Sequence, residues 1–126
     1  MPRKLLIVDD QPGITRTVAL IARRLGLDFR AVHDPRDAVA EFIDYQPDIV
    51  ILDMVMPELD GIDVLNDIIL TGQPARIVLS SGYGDAYISL AAGVARYHGL
   101  DPPPMLRKPF RRSELEELLS SECVPC

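Results

Sequence analysis

The sequence predicts an α/β fold: a single open five-stranded parallel sheet, (βα)5, with helices on both faces. Three observations carry this expectation. Residues 5–8 and 49–52 are apolar without alternation, the mark of strands covered on both sides. Segments with apolar residues at helical spacing separate the strand candidates, so each strand is followed by a helix. The chain has 126 residues, 48% of them hydrophobic and 25% charged, which suits one ordinary domain with its own core.

The elements follow in order. Leu5, Leu6, Ile7 and Val8 form a buried strand ending at Asp9 and Asp10. Ile14, Val18, Ile21, Ala22 and Leu25 then recur on one helical face, and Gly26 stands where that helix should stop. Phe29 to His33 reads as a weaker strand. Asp34-Pro35 supplies an N-cap with proline at the first helical position, ahead of a stripe of Val39, Phe42 and Ile43. Ile49, Val50, Ile51 and Leu52 form the third strand, closed by Asp53. Gly61 precedes a third helix carrying Leu65, Ile68 and Ile69. Ile77, Val78 and Leu79 lead to Ser80 and Ser81. Asp85 is placed to cap a fourth helix with Tyr87, Leu90, Ala91 and Val94. Past Pro102, Pro103 and Pro104, the segment Met105–Arg107 reads as a fifth strand; proline cannot donate ladder hydrogen bonds, so that strand must be short or at an edge. Ser113 and Glu116 are spaced as a capping box for a last helix with Leu115, Leu118 and Leu119. The domain is expected over residues 1–120, with 121–126 as a tail or the start of a linker.

Composition narrows the function. A net charge of −6 argues against direct nucleic-acid binding, which favours a basic face. The longest apolar runs are far shorter than a membrane span, and no export signal precedes the first strand. With only Cys123 and Cys126, both near the C-terminus, a reducing cytoplasm is the expected location. That Cys-x-x-Cys pair follows a helix rather than opening one and has no further zinc ligands beside it, so it is read as without function. His33 and His98 are isolated and are expected to be solvated or simply hydrogen-bonded. The basic cluster of Arg107, Lys108, Arg111 and Arg112 is short and is read as a helix-start surface or partner contact.

The polar residues fall where the strands end. Asp9 and Asp10 close the first strand, Asp53 the third, Ser81 the fourth and Lys108 the fifth. Open α/β sheets bind ligands beyond the carboxyl ends of their strands, where the strand order reverses. With the order 2-1-3-4-5, the first and third strands are neighbours there, and the three carboxylates converge beside a hydroxyl and an ammonium. Clustered carboxylates repel unless a cation joins them. Oxygen ligands without His or Cys select a hard ion, and Mg2+ suits one or two carboxylates with phosphate oxygens. A carboxylate can also attack phosphorus to give an aspartyl phosphate.

At this point the chain resembles the receiver domain of bacterial two-component response regulators, of the chemotaxis-regulator type with a flavodoxin-like fold. The resemblance spans about residues 4 to 120 and rests on "LLIVDDQP", "ILDMVMPELDG", "VLSSGYGD" and "LRKPF", above all on Asp53 followed by Pro57 and Gly61. It implies that Asp53 accepts a phosphoryl group from the phosphohistidine of a sensor histidine kinase. It implies that Asp10 binds Mg2+ directly and Asp9 through water, with Asp53 and the Val55 carbonyl as further ligands. Lys108 would contact the phosphoryl oxygens, through a segment whose bond to Pro109 is cis. Ser81 would be the switching hydroxyl, with Ser80 as the fallback. Output would pass to a domain in cis or an effector in trans, and the face of the fourth helix, fifth strand and fifth helix would serve a dimer. Met105 stands where the family usually has Tyr or Phe, and the proline run replaces a short glycine-containing connection, so the form of the switch departs from the family's. Val55 and Tyr83 are expected to tune hydrolysis of the phosphoryl group by limiting where water sits.

Two other readings fit less well. A haloacid-dehalogenase-like phosphatase needs a second Asp two residues after the nucleophile, where this chain has Val55. A flavodoxin-like cofactor binder needs a Ser/Thr/Gly-rich loop after the first strand, where this chain has Asp-Asp-Gln-Pro-Gly. No turnover of an external substrate is expected.

Overall fold

The computed structural model describes residues 3–54, 61–82 and 86–120. Five strands, β1 (Lys4–Val8), β2 (Asp28–Val32), β3 (Ile49–Asp53), β4 (Arg76–Ser81) and β5 (Met105–Arg107), form one sheet in the order β2-β1-β3-β4-β5. Every neighbouring pair is parallel. The helices are α1 (Pro12–Arg24), α2 (Ala38–Tyr45), α3 (Gly61–Leu70), α4 (Ala86–Tyr97) and α5 (Arg112–Ser120). The predicted order and the predicted short edge strand are both present; β5 has three residues and lies at the rim of the sheet.

Alternation along the strands divides the core in two. Leu6, Val8, Val50, Leu52 and Leu79 face α2 and α3, where Phe42, Val64, Leu65 and Ile68 meet them. Leu5, Ile7, Ile49, Ile51, Val78 and Leu106 face α1 and α5, against Val18, Ile21, Leu115 and Leu119. Burying each such side chain contributes about 1.5–3 kcal/mol. β1 beyond its first residue and all of β3 are fully buried, as continuous apolar runs require. No helix of the described residues is long and apolar enough to cross a membrane.

Several local expectations shift. Asp34 does cap, accepting from the Arg36 amide at 3.0 Å, but it opens a single 3-10 turn (Pro35–Asp37), and α2 begins only at Ala38. That rotation leaves Phe42 buried and Ile43 half exposed. Leu90, expected in the core stripe of α4, is exposed, while Ala91 is buried. The capping box of α5 sits two residues earlier than predicted: Ser113 lies inside the helix, and Glu114 reaches back to the Arg111 amide at 3.1 Å. Gly26 ends α1 at φ +74°, a left-handed turn that favours glycine. Asp85, the Tyr87 side chain and residues 121–126, with Cys123 and Cys126, lie outside the described residues.

Candidate functional site

The site forms where the apolar strands run out. The Val8–Leu52 pair is the last row shared by β1 and β3, so Asp9 and Asp53 come next to each other immediately beyond it. The Asp9 amide continues the ladder by donating to the Val32 carbonyl at 3.0 Å. Asp9 is 1% exposed and Asp53 3%, whereas Asp10 is half-buried at the mouth. One carboxylate oxygen from each of Asp9, Asp10 and Asp53 lies within 4.8 Å of the other two.

Lys108 enters from the far edge of the sheet. Its amide donates to the Ser81 carbonyl at 2.9 Å, which fixes the backbone just past β5, and the Lys108–Pro109 bond is cis, as the resemblance implied. Its Nζ donates to Asp53 Oδ2 at 3.2 Å and stands 2.8 Å from Asp9 Oδ2. The second contact is an ion pair without hydrogen-bond alignment, so the buried Asp9 Oδ2 has no aligned donor among the described residues. Asp9 Oδ1 accepts from the Gln11 amide at 2.9 Å.

The charge balance is informative. Among the described residues three carboxylates face one ammonium, so negative charge exceeds positive in a largely buried pocket. A divalent cation would offset that excess. The donors are all oxygen, and the under-bonded Asp9 Oδ2 is the kind of atom that such an ion would satisfy; the residues present therefore fit Mg2+.

Two further residues shape the site. A Cβ at Gly61 would lie 2.4 Å from Met54 Cα and 2.8 Å from the Asp53 carbonyl oxygen. Only glycine lets α3 begin against the backbone that carries Asp53, and its amide bonds Met54 O at 3.1 Å. The sequence marked Gly61 by its spacing from Asp53 but gave no reason for it. The second is Ser80. The register sets it directly opposite Asp53, and Ser80 accepts the Met54 amide at 2.9 Å. Alternation puts its side chain on the same face as Asp53, toward α1 and α5. Ser81, one residue on, closes β4 and is 2% exposed. Sequence reasoning assigned Ser80 only as the fallback to Ser81, expecting its side chain on the other side of the strand.

The remaining candidates fall as follows. Met105 is half-buried, pairs with Leu79 and packs on the α2–α3 side of the core. His33 and His98 are hydrogen-bonded, to Thr15 Oγ1 at 3.2 Å and Asn66 Oδ1 at 2.8 Å. Arg107, Arg111 and Arg112 are exposed. Val55, Pro57 and Tyr83 lie outside the described residues.

Comparison with known proteins agrees with this geometry. Residues 5–120 match the family model "Response regulator receiver domain". The chain is 34% identical over 116 residues to protein PilG of Pseudomonas aeruginosa, covering 89% of this chain and 81% of that protein. It is 29% identical over 121 residues to chemotaxis protein CheY of Thermotoga maritima, covering 95% and 97%. It spans only 25% and 48% of the length of two other curated relatives that it matches. Among solved structures, chemotaxis protein CheY4 of Vibrio cholerae superposes with a TM-score of 0.81 at 22% identity, over 94% of this chain and 97% of that one, a likeness of fold.

Proposed function

The chain belongs to the response regulator receiver domain family, and on that premise we propose that it is a phosphoacceptor switch whose acceptor is Asp53. The observation that supports this most directly is the convergence of Asp9, Asp10 and Asp53 within 4.8 Å, with Lys108 Nζ 3.2 Å from Asp53 Oδ2. The donor is a sensor histidine kinase. A carboxylate oxygen of Asp53 attacks the phosphorus of the phosphohistidine; a P–O bond forms, the P–N bond breaks, and the imidazole nitrogen keeps the electron pair.

The residues around Asp53 divide the work of this step. The ammonium of Lys108 offsets charge gathering on the transferring oxygens and orients them. Asp10 and Asp9, with Asp53 and the Val55 carbonyl, would hold Mg2+, which would neutralise the carboxylates and offset charge on the phosphoryl group. The Ser81 hydroxyl is the group that responds to the phosphoryl group. Met105, paired with Leu79 on the adjacent strand, fills the space that the response opens, because its unbranched thioether repacks readily. Added charge at Asp53 thereby biases the surface of α4, β5 and α5 toward a second arrangement. That surface serves a dimer, an output domain in cis or an effector in trans. The receiver occupies residues 1–120, residues 121–126 are a tail or linker start, and the protein works in the cytoplasm without turnover of an external substrate.

The test is incubation with Mg2+ and acetyl phosphate, followed by intact-mass measurement of wild type and Asp53→Asn. The reading requires a gain of one phosphoryl group in the wild type alone. Equal labelling of both proteins, or of neither, would remove Asp53 from its role.

A further inference from the structure

Ser80 places a hydroxyl in the interior, in the same row as Asp53. The residue is 1% exposed, and its Oγ has no hydrogen-bond partner among the described residues. A buried polar group left this way is destabilising, and its retention calls for an explanation. Its position supplies one. Ser80 lies between Asp53 and Leu106 in one register row, and its side chain shares their face. Lys108 stands two residues beyond Leu106, on the same side of the strand path. An ammonium has three N–H donors. One is aligned on Asp53 and the ion pair with Asp9 is misaligned, so the ammonium keeps N–H capacity with no aligned partner among the described residues. The ammonium reaches Asp53, the residue directly opposite Ser80, so a donor with spare capacity and an acceptor without a partner meet the same carboxylate's surroundings without bonding each other in the resting protein.

We propose that Ser80 is a positioning residue for Lys108 in the phosphorylated state, its hydroxyl taking the place of Asp9 as an acceptor for the ammonium. This rests on the phosphoacceptor reading above. In the resting protein, Asp9 Oδ2 holds Lys108 at 2.8 Å in a misaligned ion pair. Once Asp9 is engaged by a cation and Asp53 carries the phosphoryl group, Lys108 must turn from the carboxylates to the phosphoryl oxygens. The Ser80 Oγ then accepts its remaining N–H and fixes its direction. The orphan hydroxyl is thus unsatisfied in one state so that it can be satisfied in the other.

The experiment uses the full chain with Ser80→Ala and the near-isosteric Ser80→Cys, whose thiol is a poor acceptor. Three quantities are measured: thermal stability without ligands, the rate of phosphorylation by acetyl phosphate with Mg2+, and the Lys108 ammonium proton signal in the beryllofluoride-bound protein. Loss of a hydrogen bond to a charged group should slow phosphorylation about tenfold or more in both variants. The ammonium signal, sharp in bound wild type, should broaden in the variants. Resting Ser80→Ala should melt at the same temperature as wild type or higher, because an unsatisfied group has gone. Wild-type phosphorylation rates in both variants, an unaltered ammonium signal, or a lower resting melting temperature for Ser80→Ala would each overturn the proposal. Failure of Ser80→Ala to fold would overturn it likewise, since the resting protein would then depend on the hydroxyl. Absence of labelling in the wild type itself would instead overturn the phosphoacceptor reading.

Discussion

The strands of this protein differ sharply between their bodies and their carboxyl ends. Along β1 and β3, from Leu5 to Val8 and from Ile49 to Leu52, every side chain is apolar and at most 2% exposed. One residue farther on, the same backbones carry Asp9 and Asp53, also buried, with the Lys108 ammonium between them. Burial is therefore the same in both regions, and only its chemistry changes. In the body it excludes water from methyl groups and stabilises the sheet. At the ends it removes water from charges, which destabilises the resting protein but strengthens every electrostatic interaction formed there. The rigid apolar body holds the strained polar end in place, and the polar end waits for groups that arrive from outside.

The sharpest break of this contrast is a cavity in the body. Leu52→Ala should lower stability by about 2–5 kcal/mol in urea unfolding, since Leu52 is fully buried between β1 and β4. A loss below about 1 kcal/mol would show that the body is far more plastic than close packing implies.

Gly61→Ala joins the two regions. Its methyl group would overlap the Met54 backbone, so α3 must move away from the residue that follows Asp53. A loss of about 1–3 kcal/mol is expected. Acetyl phosphate labelling should slow with it, whereas unchanged labelling kinetics would uncouple that helix start from the site.

Mg2+ should act on the polar end alone. At ten times its dissociation constant it should raise the stability of the wild type by about 1.4 kcal/mol. Asp53→Asn removes a carboxylate from the cluster, so the metal should stabilise that variant less while its metal-free fold persists; calorimetry with and without Mg2+ compares the two. Equal stabilisation of both would place the ion elsewhere.

The smallest effect belongs to the exposed surface. The Arg36 guanidinium, hydrogen-bonded to Asp34, holds that carboxyl below its usual range, with the Arg36 amide adding to the effect. A depressed carboxyl contributes stability above the ordinary aspartate pKa of about 3.9, and loses it as pH falls through the lowered value. The melting-temperature gap between wild type and Asp34→Asn should be slight at neutral pH and vanish in acid. A gap that widens in acid would reverse the assigned sign.

Legibility followed the same division. The body was readable because an apolar run has one physical use, and both runs became central strands. The polar ends were readable as positions, since an acid or lysine directly after such a run must lie at a strand end. What failed was phase. Ile43 and Leu90 carry the right chemistry, but a 3-10 turn before α2 and the packing of α4 decided which residues face inward. Ser113 has the composition of a cap, yet Glu114 took the capping role because α5 begins at Arg112.

Taken alone, the sequence determined the element order, the parallel sheet and the set of polar residues that close its strands, because hydrophobic periodicity and chain punctuation are local properties. Tertiary structure alone decided that Ser80 rather than Ser81 stands opposite Asp53, that Lys108 spans from Asp53 to Asp9, and that Gly61 must lack a side chain. These depend on register and on close approach between segments far apart in the chain. Both are set by the simultaneous packing of two sheet faces, which no local stretch of residues encodes.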